Sequence, residues 1–402
     1  MITQTGHGNR SEGAEALDRT REDGTPVWDV WVSYTNPKTG ASKRHVKRGF
    51  KSSKEAEEHR RKVTAEVDAQ RFVKPSAMTL EAYLTMWLDG HRGKQQTVAG
   101  YLTKVRLHVI PHIGHIQLGK LTTAHLSALY KRLEEQGSTG GKGPLSPASV
   151  LRVHDILNPA LKAAVRDGLL QTNPATYANR PNARQAAAPE FTVWTAEDAS
   201  RFLNCERDSR DHALWHFTVH TGVRRGEVLG LRWRDIDFTA KTAVIRQTVG
   251  VIRGKIITEE LPKSNKPRVV DLDARTVEVL KAHKAAQNTE RLALGERWKD
   301  QGLVFARGAY RLGPDEVAGG PRHPDRVARL FDRRSAKHSV PDVRFHDLRH
   351  TWATLALKNG IPVKVVQERL GHANPTITMN IYAHALPGMQ ADAAEQVARL
   401  IA

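Results

Sequence analysis

The sequence predicts a multidomain α+β chain. It comprises a small β+α N-terminal unit, an all-α bundle, and a mainly α domain carrying a small antiparallel sheet. Three observations predict it. Two β-prone runs separated by turn chemistry open the ordered part; amphipathic helical text follows from Thr79; β-prone segments return only beyond Thr242, set between helices. Asn179 to Pro189 has prolines at both ends, alanines between and no periodicity, and reads as the linker before the third unit. The expected units are residues 25–74, 75–183 and 184–402, behind a lead of residues 1–24.

The lead is rich in Gly, Glu, Thr and Arg with almost no apolar periodicity, so it reads as disordered. Val27 to Tyr34 is β-prone, and Asn36-Pro37-Lys38-Thr39-Gly40 is turn chemistry. A basic strand follows from Ser42 to Phe50, and Ser52 with Glu55 forms a capping box for a helix reaching about Gln70. Strands bearing basic side chains can lie in a nucleic-acid groove, which makes Arg44, Lys47 and Arg48 candidate DNA-binding residues. The alternative is a small scaffold with a solvated edge.

Pro75 ends that unit. LEAYLTMWLDG, QQTVAGYLTKVRLHVIPHIG and TTAHLSALYKRLEEQG each place apolar residues at three- and four-residue steps and finish on Gly or Pro. A glycine-rich loop from Ser138 to Pro144 leads to a fourth helix, from Ser146-Pro147 to Asp167. Lys94, Lys104 and Arg106 keep this bundle basic and are further candidates for contacting DNA.

The third unit opens with a helix capped at Thr195 and another from Arg210 to His220. Gly222 stops that helix and Glu227 lies in the first turn of the next, which leaves Arg224 on the tight connection between them. Strands are expected at 243–247, 251–258 and 268–272, with Leu261 to Pro267 as a hairpin loop holding Lys263 and Lys266. Helices from about Ala274 and Asp325 flank a short GLVF strand. His346 and Arg349, three residues apart, share one face at a helix start; that helix ends at Asn359-Gly360. Pro362 opens a second helix as its first-turn proline, and Gly371 closes it before His372. Asn374-Pro375 starts a third and sets Tyr382 about two turns into it. Tight turns between three helices would gather His346, Arg349, His372 and Tyr382.

The totals narrow the partner. A formal net charge of +19 and a pI of about 10.1 point to a polyanion, most economically nucleic acid. No window approaches the ~18 apolar residues of a membrane span, and the N-terminus lacks the apolar core of a signal peptide, so the expected location is cytoplasmic, nucleoid-associated when bound to DNA. Cys205 is the single cysteine, which excludes an intrachain disulfide and a cysteine-based zinc site. Neither GxxxxGK[ST] nor GxGxxG occurs. Two arginines, a lysine and two histidines suit a phosphorane-like transition state, because guanidinium forks match non-bridging oxygens. No acidic cluster of the two-metal type accompanies them, so neither metal nor other cofactor is expected.

TGVRRGEVLGLRW, PKSNKPRVVDL, FHDLRHTWAT and LGHANPTITMNIYAH, in that order, resemble the motifs of the tyrosine recombinases, specifically the phage and mobile-element integrases. The likeness runs from about Thr195 to the end. The bundle before it looks like that family's core-site-binding domain, and residues 25–74 are similar to its arm-site-binding domains. The resemblance implies a site-specific recombinase that cleaves and rejoins DNA through a 3′-phosphotyrosyl link, as a homotetramer on double-stranded attachment sites. It implies that Arg224 and Arg349 clamp the scissile phosphate, that Lys263 protonates the leaving 5′-hydroxyl, and that Tyr382 is the nucleophile. His346 would assist proton transfer at the tyrosine, His372 would bond the phosphate, and Glu227 would support the arginine turn. A DNA-bending host factor and an excision directionality factor join the candidate partners; ATP and metal do not. The rival readings are a type IB topoisomerase-like relaxase and a catalytically silent DNA-binding regulator.

Overall fold

The computed structural model describes residues 14–20, 26–35, 41–69, 77–137, 143–182, 184–185, 192–259, 267–309, 317–372, 374, 378–379, 394–395, 397–399 and 401. The chain forms two compact units, residues 1–188 and 189–402.

In the first unit, β1 (Ala14–Thr20), β2 (Pro26–Thr35) and β3 (Ser42–Phe50) make an antiparallel sheet in that order. The helix α1 (Ser53–Asp68) covers one face, capped by the Ser52 hydroxyl accepting from the Glu55 amide. Strand alternation sends Val30 and Val32 to the helix side, where they bury against Ala56 and Val63. Trp31 pairs with Val46 and Ser33 with Arg44, so these four side chains share the face turned away from the helix. A register shift beside Asp29 is accommodated at Gly49, whose φ is +83° and whose amide donates to the Asp29 carboxylate at 3.0 Å. Residues 14–20, assigned by composition to a disordered lead, form β1 instead. Their order comes from main-chain pairing to β2, a non-local term that local composition does not carry.

The bundle of the same unit follows the expected helices. They are α2 (Leu80–Asp89), α3 (Gln95–Lys104), a π-helical turn at Val105–Val109 running into α4 (Ile110–Ile113), α5 (Thr123–Gln136) and α6 (Pro147–Arg166). Leu80, Leu84, Val109, Leu126, Leu133, Val153 and Leu157 are among its buried core.

The second unit is built round α8 (His212–Thr221), a helix buried on nearly every side, which follows α7 (Ala196–Cys205) and precedes the short α9 (Arg225–Leu229). Two small sheets come next. β4 (Ile236–Asp237), β5 (Thr242–Ile245) and β8 (Arg268–Asp271) form one antiparallel sheet, and β6 (Thr248–Ile252) with β7 (Lys255–Glu259) forms a separate hairpin. The helices α10 (Ala274–Leu294), α11 (Pro324–Lys337), α12 (Leu348–Lys358) and α13 (Val363–Leu370) complete it. An aromatic cluster joins these layers: Trp194 to Phe202 at 5.1 Å, Phe202 to Phe331 at 5.4 Å, Phe331 to Phe345 at 5.5 Å and Trp215 to Phe345 at 5.7 Å between ring centroids.

The second unit departs from expectation at several points. Residues 251–258 are two strands rather than one, because Arg253 and Gly254 both take positive φ and make the two-residue turn of a tight hairpin. The lysine segment does not close a hairpin, since β7 pairs with β6 while β8 pairs with β5. GLVF supplies only a single bridge, Leu303 to Arg232. Pro362, expected at the first helical position of α13, sits one residue earlier as its N-cap, with ψ of 137°.

A polar network ties α8 to the start of α10. Asp273 caps α10, accepting from the Thr276 amide at 2.9 Å and the Thr276 hydroxyl at 2.6 Å. The hydroxyl lies 3.2 Å from His216 Nε2, and His220 Nδ1 lies 3.2 Å from the Asp273 carboxylate. The rings of His216 and His220, one turn apart on α8, stack at 3.9 Å. Burial, then the neighbouring imidazoles of His220 and His212, pushes His216 down to about 4. Its folded value lies below its unfolded one, so the unfolded chain binds the extra proton. The stabilising effect is full above the unfolded value and is lost as pH falls from about 6.5 towards 4. Thermal melts of the full chain across that window should show His216→Gln losing less stability with acid than wild type does; parallel curves for the two proteins would refute this.

Candidate active site

Three guanidiniums converge on the end of α13. Arg268, the first residue of β8, donates its Nε–H to the Arg369 carbonyl at 2.9 Å. Arg349, in the first turn of α12, donates to the Leu370 carbonyl at 2.5 Å and to the Gly222 carbonyl at 2.9 Å. Arg224, at the N-cap of α9, donates to the Gly371 carbonyl at 3.2 Å. The last carbonyls of a helix lack intrahelical partners and concentrate its negative end, so three successive acceptors are available to cations there. Gly371 ends α13 with φ of +64°, and a Cβ at this residue would come within 3.1 Å of the Arg268 side chain. A side chain at 371 would therefore meet both an unfavourable backbone region and Arg268.

Glu227 sits beneath the arginines at the third position of α9, and it is only 2% exposed. Its Oε2 accepts the Arg224 amide at 2.9 Å and Arg268 Nη2 at 2.6 Å; its Oε1 accepts Arg224 Nη1 at 2.9 Å and Arg268 Nη1 at 3.0 Å. Burial pushes the carboxyl up. Arg268 first, and then Arg224, outweigh burial and hold it down at about 2.

His346 rides on a 3₁₀ turn, Phe345–Asp347, fixed from both sides. Phe345 is buried in the aromatic cluster, while Asp347 accepts the Arg344 amide at 3.0 Å and two guanidinium N–H groups of Arg344 at 2.9 Å. His346 itself is left exposed. Partial desolvation, then His350, Arg349 and Arg224, lowers its pKa. His372 follows Gly371 and is half-buried, its Nδ1 2.8 Å from the buried Thr378 hydroxyl. Desolvation, then Arg349, Arg224, His350 and Arg268, pushes it down to about 4. Both imidazoles are therefore neutral at pH 7, able to accept or relay a proton beside fixed positive charge.

Of the expected catalytic set, the structure brings together Arg224, Glu227, His346, Arg349 and His372. Lys263, Lys266 and Tyr382 lie outside the described residues; of the helix expected to carry Tyr382, Thr378 and Met379 are described, and both are helical. Arg268 and His350 stand beside the set without having been expected there. Arg268 was visible as the arginine of PKSNKPRVVDL, but its partner Glu227 is 41 residues away in the chain. His350 was visible one turn after His346, and their rings lie 5.8 Å apart.

The expected DNA contacts belong to the first unit. Arg44, Lys47 and Arg48 are all exposed on β3, with the Arg44 guanidinium 4.5 Å above Trp31 and the Lys47 ammonium 5.1 Å from Phe50. Lys94 caps α3, Lys104 ends it, and Arg106 projects from the π-helical turn; Lys94 and Arg106 are exposed.

Among the described residues, His216, His220 and Asp273 are the one cluster with ligand atoms close enough to hold a metal ion, within 4.8 Å of one another. Those atoms already serve the cap of α10. No described helix is long and apolar enough to cross a membrane.

The phage integrase family profile matches residues 193–388, an arm DNA-binding domain matches 18–67, and the N-terminal SAM-like domain of phage integrases matches 79–133. The chain is 26% identical to a XerC-like tyrosine recombinase of Caldanaerobacter subterraneus subsp. tengcongensis, across 70% of this chain and 71% of that one. It is 27% identical to an integrase of Streptomyces ambofaciens, across 91% and 93%. The fold is shared with the Tn1549 transposon integrase in complex with a circular intermediate DNA (17% identity, 79% of this chain and 99% of that one, TM-score 0.61). It is shared also with a lambda integrase tetramer bound to a Holliday junction (18%, 89% and 96%, TM-score 0.51). With all three domains matched in this order and relatives of this kind along nearly its whole length, the chain belongs to the phage integrase family of tyrosine recombinases.

Proposed function

We propose that the protein is a site-specific DNA recombinase that integrates or excises a mobile element, working as a homotetramer on two attachment sites. The observation that carries this is the cluster of Arg224 and Arg349 with neutral His346 and His372 at the end of α13, in a chain that also matches an arm DNA-binding domain. The Tyr382 oxygen attacks the scissile phosphorus and the bond to the 5′-oxygen breaks. A 3′-phosphotyrosyl link forms, and the 5′-hydroxyl leaves with a proton from Lys263. Neutral His346 takes the proton of the phenol, a poor nucleophile until a base is close. Arg224 and Arg349 present fixed N–H groups to the non-bridging oxygens, a preorganised arrangement in which one lost donor typically costs about 3 kcal/mol of barrier. His372 adds a hydrogen bond to the phosphate. Cationic side chains do the work assigned elsewhere to metal ions, so neither metal nor ATP enters the reaction. Residues 75–183 hold the core site, with Lys94, Lys104 and Arg106 on phosphates; the sheet of residues 25–74 reads a separate arm site through Arg44, Lys47 and Arg48. A DNA-bending host factor and an excision directionality factor are partners that the same scheme accommodates.

The primary test removes the nucleophilic oxygen alone. Tyr382→Phe should bind a nicked suicide duplex nearly as wild type does and form no covalent adduct on a denaturing gel; an adduct that persists would move the nucleophile elsewhere. Supercoil relaxation by the wild type without strand exchange would instead select the topoisomerase-like reading.

Lys263→Ala should cleave far more slowly on an ordinary duplex, yet recover most of its rate on a 5′-bridging phosphorothiolate, since sulfur leaves without a proton. Recovery seen with Lys266→Ala and not Lys263→Ala would shift the general acid by three residues.

The exposed position of Arg44 over Trp31 on the open sheet face gives a third expectation. Arg44→Ala should leave core-site cleavage intact and make arm-site binding less salt-dependent, the log–log slope falling by about 0.9 for each phosphate no longer neutralised. An unchanged slope would remove Arg44 from the DNA interface.

A further inference from the structure

Arg268 has no part in the roles above, yet it is the most heavily engaged guanidinium described around Glu227. Its side chain is 10% exposed, and all three of its nitrogens donate: Nε to the Arg369 carbonyl, Nη1 and Nη2 to the two Glu227 oxygens. Glu227 Oε1 accepts from Arg224 as well, so one carboxylate oxygen holds both cations. We propose that Arg268 is a positioning residue for the reaction proposed above, setting the reach of Arg224 through the carboxylate they share. The inference rests on the recombinase reading.

Arg224 has two anchors, Glu227 and the Gly371 carbonyl. Glu227 can orient Arg224 only while its own carboxylate is oriented, and the side-on fork of Arg268 fixes both of its oxygens at once. Arg268 is in turn fixed by the β5–β8 ladder, where it pairs with Ile245, and by the carbonyl of Arg369. Gly371, having no side chain, leaves the room that Arg268 occupies. Arg268 also stands five residues beyond Lys263, so the strand that starts where the lysine segment ends is bonded directly to the arginine clamp. A lysine at 268 would keep the charge and lose the fork.

The charged groups round Glu227 are Arg224 from the α8–α9 connection and Arg268 from β8; beyond them Arg349 of α12 bonds the same row of carbonyls, Arg369 of α13 bonds the carbonyls of His220 and Asp271, and His372 lies in the field of Arg349, Arg224 and Arg268. Without Arg268, a buried carboxylate faces Arg224 as its nearest cation, and its pKa rises. A merely structural residue would not make cleavage depend on that titration.

The experiment compares wild type, Arg268→Gln, Arg268→Lys, Glu227→Gln and the Glu227→Gln/Arg268→Gln double variant. It measures single-turnover adduct formation on a nicked suicide duplex from about pH 6 to 9, alongside duplex affinity. Arg268→Gln should bind DNA within about twofold of wild type, cleave at least about tenfold more slowly at neutral pH, and regain rate as pH rises. Arg268→Lys should fall between the two. The double variant should be no slower than Glu227→Gln, because both changes break one unit. Cleavage by Arg268→Gln at the wild-type rate overturns the proposal, as does a pH-independent loss that adds to that of Glu227→Gln. Should Arg268→Gln melt below the assay temperature, Arg268→Lys decides by the same readouts. If wild type forms no adduct, the recombinase reading falls and this proposal with it; an adduct in wild type and an unaffected Arg268→Gln sink this proposal alone.

Discussion

Three adjacent backbone carbonyls at the end of α13 hold the site together. Arg369, Leu370 and Gly371 each accept one guanidinium, and the three arginines come from β8, α12 and the turn before α9. Like charges this close repel strongly in a poorly solvated setting, so their gathering requires a counterweight. The helix terminus supplies partial negative charge in fixed directions, and Glu227 supplies a whole one. Arg369 extends the arrangement from the opposite side, donating to the His220 carbonyl at 3.1 Å and the Asp271 carbonyl at 3.0 Å while its guanidinium lies 4.9 Å from the Trp352 ring. The ends of α8, β8 and α13 are thereby bonded to one another through cations.

The hydrophobic core determines where those ends stand. α8 is buried along almost its full length, which fixes the Gly222 carbonyl that Arg349 also uses. Gly222 itself has φ of +64°, and a Cβ there would reach within 3.0 Å of Leu370. Two left-handed glycines, at the ends of α8 and α13, thus bring two helix termini to the same arginine. Phe345 carries the other half of the task. Packed against Phe331 and Trp215, it locks the turn that presents His346.

What was legible in the sequence is what local helix geometry writes there. Gly222 as a stop, Glu227 in a first turn, the spacing of His346 and Arg349, and Gly371 before His372 are all short-range patterns, and they locate most of the described site. Arg268 was not legible because its meaning depends on partners 41 and 101 residues away. The strand at residues 14–20 escaped for the same reason: its stabilisation is a ladder to β2, not a property of its own residues. Arg253-Gly254 is the opposite case, a local turn signal that an extended β-prone run concealed. The topology of the lysine segment required knowing which strands pair, and strand pairing is what a one-dimensional pattern records least well.

The lowered pKa of Glu227, together with neutral His346 and His372, has a consequence for charge matching. Three guanidiniums less the one carboxylate, which stays ionised, leave these four groups at a net charge of two, positive. A phosphodiester brings a single negative charge, whereas a trigonal bipyramid formed before its protons are redistributed is a dianion. On the roles proposed above, these four groups match the charge of the species at the top of the barrier better than that of the one at its foot, which is the differential binding that catalysis requires.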